Sequence, residues 1–399
     1  MKRALWTAVV GLITGWAARR SLAGAVVRAT PIILAVVLAT VLISSLGWLE
    51  RYETASFDAF NILQSPRDPS RVVLVAITDD DYRNIFAETS PLDPDRLYRI
   101  MQAIANGGPS LIGVDIDTSS SVFQRFKTPP DWPPIVWGQD FEPQDDFIRP
   151  LGVLAGQPVR EGDSFGIAAL PQDSDGIVRR HLRAFRTDQG TAPSFPWQVI
   201  QTASRLGIRG FSAAGLASDG HGGKALLLNF SGERYNFAPL SAGLVLQGAQ
   251  GEDWKLRGPL TNRVVILGGC YRAARDTYIT PVGKMLGMQL MAQAVESELG
   301  GGIRAFNHLV ELLFDLVCGV LLVIIHHRFR PLAALALSLI AIPVLCLGGS
   351  YLAFSTMARW FNFVPVIVGV QIHQLYDHAK DYSRLQAQLA AIQGDVRKQ

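Results

Sequence analysis

Cysteine is scarce in this sequence: the 399 residues contain three, Cys270, Cys318 and Cys346. The last two lie in apolar segments near the C-terminus, so the polar middle of the chain has Cys270 alone. A single cysteine cannot form a disulfide framework in that region, and no CxxC pair is present to hold a metal. The cysteines are therefore compatible with an oxidising compartment without indicating one.

Excess charge and catalytic motifs are also missing. The 37 basic and 34 acidic residues leave a formal net charge of only +3, which gives no reason to expect affinity for nucleic acid. The sequence has no Walker loop, no HExxH or GxSxG motif and no protein-kinase set of residues. We therefore expect a protein that is not an enzyme and needs no cofactor.

Apolar residues, in contrast, are abundant at the two ends of the chain. They make up 49% of the sequence and concentrate before residue 50 and after residue 307. Residues 29–49 are uncharged throughout, and about twenty such residues cross roughly 30 Å of hydrocarbon as a helix. We interpret the shorter run at residues 4–18 as an interfacial helix, with a second crossing or a cleaved signal peptide as alternatives.

Three further candidate spans follow the polar middle region, at residues 309–325, 331–354 and 360–376. The third is the weakest, because it contains Asn362 and His373. Basic residues concentrate before the first span and predict a cytoplasmic N-terminus. The predicted order is a cytoplasmic or interfacial segment (1–28), a transmembrane helix (29–49), an extracytoplasmic domain (50–307), three transmembrane helices (308–376) and a cytoplasmic helical tail (377–399).

Residues 50–307 predict an α/β domain with a mixed, mainly parallel sheet and flanking helices. VVLVAI (72–77) is followed by apolar residues at helical spacing and then by the strand LIGVDI (111–116). This strand–helix–strand unit predicts two parallel, adjacent strands. RVVILGG (263–269) predicts a third parallel strand, and residues 170–185 and 225–242 predict antiparallel strands added at one side.

Aspartates follow the predicted parallel strands. Ligands bind at the carboxyl edge of open parallel sheets, so these side chains are candidates for a ligand or divalent-metal site. The favoured alternative is that they cap helix N-termini and turns, and catalysis is the least favoured role. The candidates are Asp79, Asp80, Asp81, Asp115, Asp117 and, as the wall of a pocket, Asp276.

Arg179 belongs to the segment DSDGIVRR (173–180). This segment lacks the later glutamate and the flanking helices of a calcium-binding loop, and an Asp–Gly turn entering a strand fits it better. Arg179 and its neighbour Arg180 are candidates to bind an anionic ligand. Ordinary salt bridges are the favoured alternative.

Charged residues also occur beside the C-terminal spans. Glu311 and Asp315 lie one turn apart near the outer end of their span, where ionisable groups are often functional but can also simply begin a helix. We hypothesise that Arg359, in the next outer loop, pairs with one of them and locks the bundle. The tail has an apolar stripe that fits either the start of a coiled coil or a plain juxtamembrane helix: Tyr382, Leu385, Leu389 and Ile392.

Six segments together resemble the CHASE type-2 domain, a cyclase/histidine-kinase-associated sensory extracellular module of bacteria. The resemblance covers about residues 50–375 and implies one transmembrane helix, an outer sensory domain, three transmembrane helices and a cytoplasmic effector. SPLDPDRLYR (90–99) and Met291 depart from the family pattern. The segments are FDAFNILQ (57–64), RVVLVAITDDD (71–81), GPSLIGVDID (108–117), LPQDSDGIVRR (170–180), RVVILGG (263–269) and DTYITPVGKMLGMQLMAQAV (276–295).

We therefore expect an integral sensor of the bacterial inner (plasma) membrane, with a periplasmic α/β domain and both termini in the cytoplasm. The residues after Tyr376 are too few for a kinase or cyclase, so the signal is expected to pass to a cytoplasmic partner or to an effector that is missing. A homodimer is plausible. The alternatives are a structural protein that docks another envelope protein and a metal-dependent extracytoplasmic enzyme.

Overall fold

A computed structural model describes residues 22–64, 71–211, 225–230, 238–251, 254, 258–300, 302–306, 308–329 and 331–398. The chain divides into two compact units. The first combines Met1–Phe57 with Ala305–Gln399 and is called the helical unit below; the second is Asp58–Arg304, called the α/β unit. The interfacial helix predicted at residues 4–18 lies outside the described residues.

The described helices and strands alternate through the α/β unit and give way to long helices at the C-terminal end. Short 3₁₀ turns at Ser121–Arg125, Val153–Gly156 and Arg272–Ala274 interrupt the connections. In chain order the elements are α1 (Leu22–Ser45), α2 (Glu50–Leu63), β1 (Val72–Ile77), α3 (Asp79–Asn84), α4 (Pro94–Asn106), β2 (Leu111–Asp115), β3 (Ile135–Gln139), β4 (Phe141–Pro143), β5 (Ile148–Pro150), β6 (Ser164–Ile167), β7 (Arg180–His181), β8 (Ala184–Thr187), β9 (Gly190–Pro193), α5 (Phe195–Arg205), β10 (Leu226–Leu227), β11 (Leu240–Ser241), α6 (Ala242–Gly248), β12 (Val264–Gly269), β13 (Thr277–Thr280), β14 (Gly283–Leu286), α7 (Gly287–Leu299), β15 (Arg304–Ala305), α8 (His308–Arg328), α9 (Pro331–Met357), β16 (Arg359–Trp360) and α10 (Val364–Lys398).

The main sheet of the α/β unit has six strands in the order β11-β1-β12-β2-β3-β6, and every neighbouring pair is parallel. The parallel strand predicted from RVVILGG is confirmed as β12. The prediction that β1 and β2 are adjacent is wrong, because β12 lies between them, with Leu267 opposite both Val75 and Val114. The crossover from β1 through α4 to β2 skips one strand position. The later strand β12, which is almost fully buried, occupies that position.

The two segments predicted to add antiparallel strands at one side of this sheet behave differently. β7 and β10 do pair antiparallel, but in a separate two-stranded sheet. β11, from the second segment, joins the main sheet parallel to β1. The placement at one side was therefore wrong, because short strands of two residues find partners by tertiary packing, which local patterning does not encode.

Helices cover both faces of the main sheet. Alternate residues of each strand point to opposite faces, so β1 sends Val75 and Ile77 to one core with α4 and α6, and Val72 and Leu74 to another with α5 and α7. Helix α4 begins as predicted, with the Asp93 carboxylate accepting hydrogen bonds from two backbone amides of the first turn. This three-layer arrangement confirms the predicted α/β class.

The helical unit contains two helices long and apolar enough to cross a membrane, Leu309–Arg328 and Ala333–Met357. A third candidate arises only if Ala29–Ser45 and Glu50–Leu63 count as one bent span, and Val364–Tyr376 is a shorter apolar segment. Helix α10 continues without a break past Tyr376 to Lys398. Helix α1 ends at Ser45, short of the predicted boundary at residue 49.

Small residues allow the helices of this unit to approach closely. A Cβ added at Gly319 of α8 would lie 2.6 Å from Ile33 Cγ2 of α1, closer than carbon atoms can pack. A Cβ at Gly369 of α10 would lie 3.4 Å from Thr40 Cγ2, also on α1. Between α9 and α10, Gln374 donates a hydrogen bond to the Ser338 hydroxyl. Glycine contacts and interhelical hydrogen bonds of this kind hold helices together in apolar surroundings.

Candidate functional site

The carboxyl ends of four neighbouring strands, β1, β12, β2 and β3, meet at one edge of the main sheet. Each of these strands is followed by at least one aspartate: Asp79 after β1, Asp276 after β12 and Asp140 after β3, while Asp115 ends β2. The parallel pairing brings these ends together, as the sequence predicted for two of them. Asp140 was missed, although IVWGQD repeats the same pattern of an apolar run that ends in an acid.

Asp81 is a structural residue at this edge. Its carboxylate accepts hydrogen bonds from the Thr78 backbone amide at 3.0 Å and the Thr78 hydroxyl at 2.9 Å. The Asp81 amide donates to the Thr78 hydroxyl at 3.2 Å, which completes the capping box of α3. It also accepts from the amides of Ala242 at 3.2 Å and Gly243 at 3.0 Å, 161 and 162 residues further on. Asp81 therefore fastens the end of β1 to the start of α6, which matches the capping alternative.

Asp79 and Asp80 sit at the same helix start with different surroundings. Asp79 accepts a hydrogen bond from the Arg272 amide at 2.8 Å and fixes the loop after β12. Asp80 is exposed and lies 3.4 Å from the Arg83 guanidinium. Beside them, the rings of Tyr82 and Tyr271 stack with centroids 4.1 Å apart. Asp79 and Asp81 thus hold this turn to neighbouring segments, whereas Asp80 contacts only its own helix.

A second group of acids lies where β2 and β3 end and β13 begins. We call Asp115, Asp140, Asp276 and Tyr278 the acidic edge. Burial, followed by the charges of Asp276 and Asp140, raises the pKa of Asp115 from its ordinary 3.8 to about 8. Asp115 therefore keeps its proton at neutral pH, when an ordinary aspartate is ionised.

The other two acids share this environment. Burial raises the pKa of Asp276, although hydrogen bonds from Tyr278 and from the Gly287 amide act in the opposite direction. Burial and then the charge of Asp117 raise the pKa of Asp140, partly countered by the Phe141 amide, which donates to its carboxylate at 2.8 Å. Asp140 and Asp117 lie at the exposed rim, and Asp117 accepts a hydrogen bond from the Ser119 amide at 2.8 Å.

Tyr278 is the fourth residue of the acidic edge, and two glycines lie against its aspartates. The Tyr278 hydroxyl donates to Asp276, and burial together with the charges of Asp276 and Asp115 raises the pKa of this phenol. A Cβ at Gly287, the first residue of α7, would lie 2.1 Å from Asp276 Oδ2, so a side chain there would displace the Asp276 carboxylate or the start of α7. A Cβ at Gly138 of β3 would lie 3.0 Å from the Val114 carbonyl oxygen and 3.4 Å from Asp115 Oδ1.

The acids of this edge have no basic partner within the described ranges. No lysine, arginine or histidine nitrogen there lies within 4.0 Å of a carboxylate oxygen of Asp115, Asp117, Asp140 or Asp276. In the same part of the chain, no group of three or more histidine, cysteine, aspartate or glutamate side chains could hold a metal ion. The acidic edge therefore carries negative charge that these residues leave uncompensated.

Arg179 has the opposite surroundings. Its side chain is 2% exposed and donates to Asp58 at 2.8 Å through both Nε and Nη2, and to Asp173 and Asp175 at 2.7–3.1 Å. All five N–H donors of a guanidinium are engaged in these contacts. Burial disfavours the charge, but the three carboxylates outweigh it and raise the pKa of Arg179. The structure thus shows the salt bridges that the sequence offered as the alternative to anion binding.

The charged residues predicted to act in the membrane lie in the helical unit. Glu311 and Asp315 are on α8, and Arg359 begins the short strand β16. Asp315 lines a crevice between α1, α8 and α10, together with Thr40 and His373 among otherwise mainly apolar residues. The pairing of Arg359 with Glu311 or Asp315 stays a prediction.

Comparison with known proteins gives one match. A family model of the CHASE2 domain matches residues 33–325, most of the chain, and spans β1, β2, β3 and β12 of the main sheet. No curated protein and no solved structure matches the chain. The extent of the family match agrees with the resemblance in the sequence and with the observed α/β unit. The chain belongs to the CHASE2 domain family, whose domain is a sensory module of signalling proteins.

Proposed function

We propose that this protein is a membrane sensor and that the acidic edge of its CHASE2 domain binds a small, positively charged ligand. The observation that carries the proposal is the group of acids at a parallel sheet's carboxyl edge without a basic partner in the described ranges. A bound cation would favour the ionised form of Asp115 and release its proton. Binding would therefore depend on pH and strengthen as the pH rises.

The elements around the acidic edge offer a route for the signal. Tyr278 lies in the hairpin β13–β14, which leads directly into α7, and Gly287 at the start of α7 is against Asp276. Along the chain, α7 is followed within ten residues by α8, a candidate membrane span. A ligand that moves Asp276 would act on the start of α7 first.

Helix α7 is linked to other elements of the α/β unit by glutamates near its C-terminal end. Near its C-terminal end, Glu298 is buried and accepts hydrogen bonds from Arg183 at 2.8 Å and lies 3.1 Å from His181 Nε2. Burial opposes its charge, but these two partners outweigh burial and hold the pKa of Glu298 below its usual value. Glu296 accepts from the backbone amides of Arg71 at 2.9 Å and Val72 at 3.1 Å. A displacement of α7 would therefore be transmitted to the start of β1.

In this proposal the CHASE2 domain faces the periplasm, the apolar helices lie in the bacterial inner membrane, and both termini are cytoplasmic. The basic residues before the first span support that orientation. Helix α10, which continues to Lys398, would present the signal to a cytoplasmic partner. A ligand changes such an equilibrium only through its difference in affinity for the two states.

Thermal unfolding of the full-length chain in lipid nanodiscs tests the binding proposal. Spermidine serves as the amine probe, Mg²⁺ and Ca²⁺ as metal probes and phosphate as the anionic control. A probe at 100 times its Kd stabilises by roughly 2.7 kcal/mol, a readable shift in melting temperature. We expect spermidine to stabilise the chain more at pH 8.5 than at pH 6, the metal ions to stabilise it less than spermidine, and phosphate to have no effect.

Two substitutions locate the effect. Asp115→Asn removes the central acid and should abolish the shift, whereas Asp117→Asn, at the exposed rim, should keep most of it. An equal shift in both variants, or stabilisation by phosphate alone, would refute binding at the acidic edge. The difference between the amine and metal arms then identifies the class of cation.

A further inference from the structure

The crevice between α1, α8 and α10 lies entirely within the helical unit. Its free space is about 30 Å³, which is room for one water molecule. The three helices approach closely around it, because glycines face α1 from both sides. An added Cβ at Gly319 of α8 would clash with Ile33, and one at Gly369 of α10 would touch Thr40. The crevice is therefore a site where a change in one side chain affects the packing of three helices.

Each of the three helices contributes a side chain that forms strong hydrogen bonds: Thr40 from α1, Asp315 from α8 and His373 from α10. Apart from Cys318, the other described residues that line the crevice are apolar. Thr40 and His373 are buried, at 2% and 6% exposure, and Asp315 is half-buried. Neither lysine nor arginine occurs in this described lining, which thus offers Asp315 no permanent positive charge.

The hydrogen-bonding capacity of these groups favours a proton in the crevice. The Thr40 hydroxyl donates its one proton to the α1 backbone, where the carbonyl oxygens of Val36 and Val37 lie at 3.1 and 2.9 Å. It can therefore only accept a further hydrogen bond, and an ionised Asp315 can also only accept. A proton on Asp315 supplies a donor that Thr40 can accept, either directly or through one water molecule.

The position of Asp315 in the helix gives a second reason. It lies two turns into α8, about 10 Å along the helix axis, within the apolar stretch Leu309–Arg328. A negative charge inside a membrane span is costly, and ionisable residues there are commonly functional. The other titratable groups nearby are Glu311, one turn earlier, and Cys318 on α8, with His373 on α10; α1 adds none to the described lining.

We propose that this crevice is a proton-binding site, in which Asp315 takes up a proton from water and holds it against Thr40. The proton adds to a carboxylate oxygen and returns to water when Asp315 ionises. Because the crevice joins three helices, the protonated form would favour their close packing and the ionised form would loosen it. The inference goes beyond the proposed cation binding and does not depend on it, since it rests on other residues in the other unit.

Labelling of the full-length chain in lipid nanodiscs with N,N′-dicyclohexylcarbodiimide tests the proposal. This lipid-soluble reagent reacts with carboxyl groups that carry a proton, and peptide mass spectrometry gives the rate at Asp315 from about pH 5 to about pH 8.5. An exposed aspartate, with a pKa of about 3.9, loses a factor of about ten in rate per pH unit throughout this range. We expect Asp315 to react at a constant rate at the acid end and to lose reactivity only as the pH rises further.

Matched variants identify the groups involved. Asp315→Asn should abolish the label, whereas Glu311→Gln and His373→Gln should both keep a pH-dependent label at Asp315. Thr40→Val removes the acceptor and should move the midpoint of the profile to lower pH, by roughly half to one unit for one hydrogen bond. Thr40→Ser keeps the hydroxyl and should leave the midpoint unchanged.

Three results would overturn the proposal. The first is no label at Asp315, or a rate that falls tenfold per pH unit from the acid end, as for an exposed acid. The second is an equal midpoint in Thr40→Val and Thr40→Ser, which would remove Thr40 from the site. The third is slower labelling when Na⁺ is added at constant pH, which would assign the crevice to a metal cation and not to a proton.

Discussion

The α/β unit contains two groups of three aspartates with opposite surroundings. Asp58, Asp173 and Asp175 surround a single guanidinium, that of Arg179, and their charges hold it in place. Asp115, Asp140 and Asp276 surround no cation in the described ranges, and the pKa of each is raised. The first group has the form of a structural anchor. In the second group, buried carboxyl groups lie close to one another, which disfavours their ionisation and is not required for folding.

The difference teaches how to separate structural from functional acids in one domain. A buried charge with hydrogen-bonded partners of opposite sign is satisfied, and removing one partner destabilises the fold. Acids that repel one another reduce stability, so their presence points to a role outside folding. Within the CHASE2 domain this contrast favours the acidic edge over Arg179 for the proposed ligand-binding role.

The largest expected effect comes from removing the cation of the first group. Arg179→Ala leaves Asp58 without its partner and the largely buried Asp173 with Arg180 alone. Breaking a buried ion pair in this way should lower the free energy of unfolding by about 3–5 kcal/mol. Denaturant titration of the full-length chain, followed by tryptophan fluorescence, measures this loss.

Arg180→Ala is the matched control for that experiment. Its guanidinium lies 2.8 Å from Asp173, but its side chain is 38% exposed and it has this one carboxylate partner within the described ion pairs. We expect a loss below about 1 kcal/mol, as for other solvent-exposed pairs. Equal losses for the two arginines would contradict the anchoring role of Arg179.

A smaller loss of stability is expected when a side chain is added next to Asp276, in the second group of aspartates. Gly287→Ala would place a methyl group 2.1 Å from Asp276 Oδ2, so the carboxylate or the start of α7 must move. Overpacking of this kind should lower the free energy of unfolding by about 1–3 kcal/mol. Gly348→Ala, whose added methyl group meets no atom within 4 Å, is the control and should be close to neutral. The pair is compared by thermal unfolding, and a neutral Gly287→Ala would count against the close packing of Asp276.

The last comparison is a pH dependence of opposite sign in the two groups. The folded chain keeps the Asp115 proton to about pH 8, whereas the unfolded chain loses it near 3.8. The folded state therefore binds more protons across this window, and the contribution of Asp115 to stability falls as the pH rises from about 4 to 8. The Arg179 hydrogen bonds lower the pKa of Asp175, so its contribution is lost when the pH falls through that lowered pKa.

Asp115→Asn isolates the first of these contributions. Relative to the parent, the variant should gain stability as the pH rises from 5 to about 8, by at most about 1.4 kcal/mol per pH unit, because the parent must keep a proton there that its unfolded chain has lost. Asp175→Asn should lose stability at pH 7 and converge with the parent in acid. Parallel melting curves for Asp115→Asn and its parent between pH 5 and 9 would show that Asp115 does not titrate in this window.

Several features could be predicted from local sequence because they depend on near neighbours. The amphipathic spacing from Leu97 to Ile104 and the Asp93 cap specify α4, and continuous apolar runs specify β1, β2 and β12. The position of acids after those strands also follows from the order of residues. That order predicted that Asp79 to Asp81 and Asp115 with Asp117 lie at one edge, and that Asp276 lies in a loop over this edge. Asp140 escaped notice because its strand, although as long as β2, is preceded by a short 3₁₀ turn and irregular chain instead of an amphipathic helix.

Other features depend on residues far apart in the chain. Asp81 appeared to belong with Asp115, but its oxygens accept the amides of Ala242 and Gly243, a contact no local pattern reveals. The prediction that β1 and β2 are neighbours was wrong for the same reason. The strand between them, β12, comes about 150 residues after β2 in the chain.

The sequence by itself therefore determined the α/β class, the apolar helices and the acids that end each parallel strand, because hydrophobic periodicity and strand direction act over a few residues. Only the tertiary structure decided which of those acids are neutralised. A pKa depends on burial and on the charges within a few ångströms, and these are set when β2, β3 and the hairpin before α7 come together. That step separates the Arg179 anchor from the acidic edge.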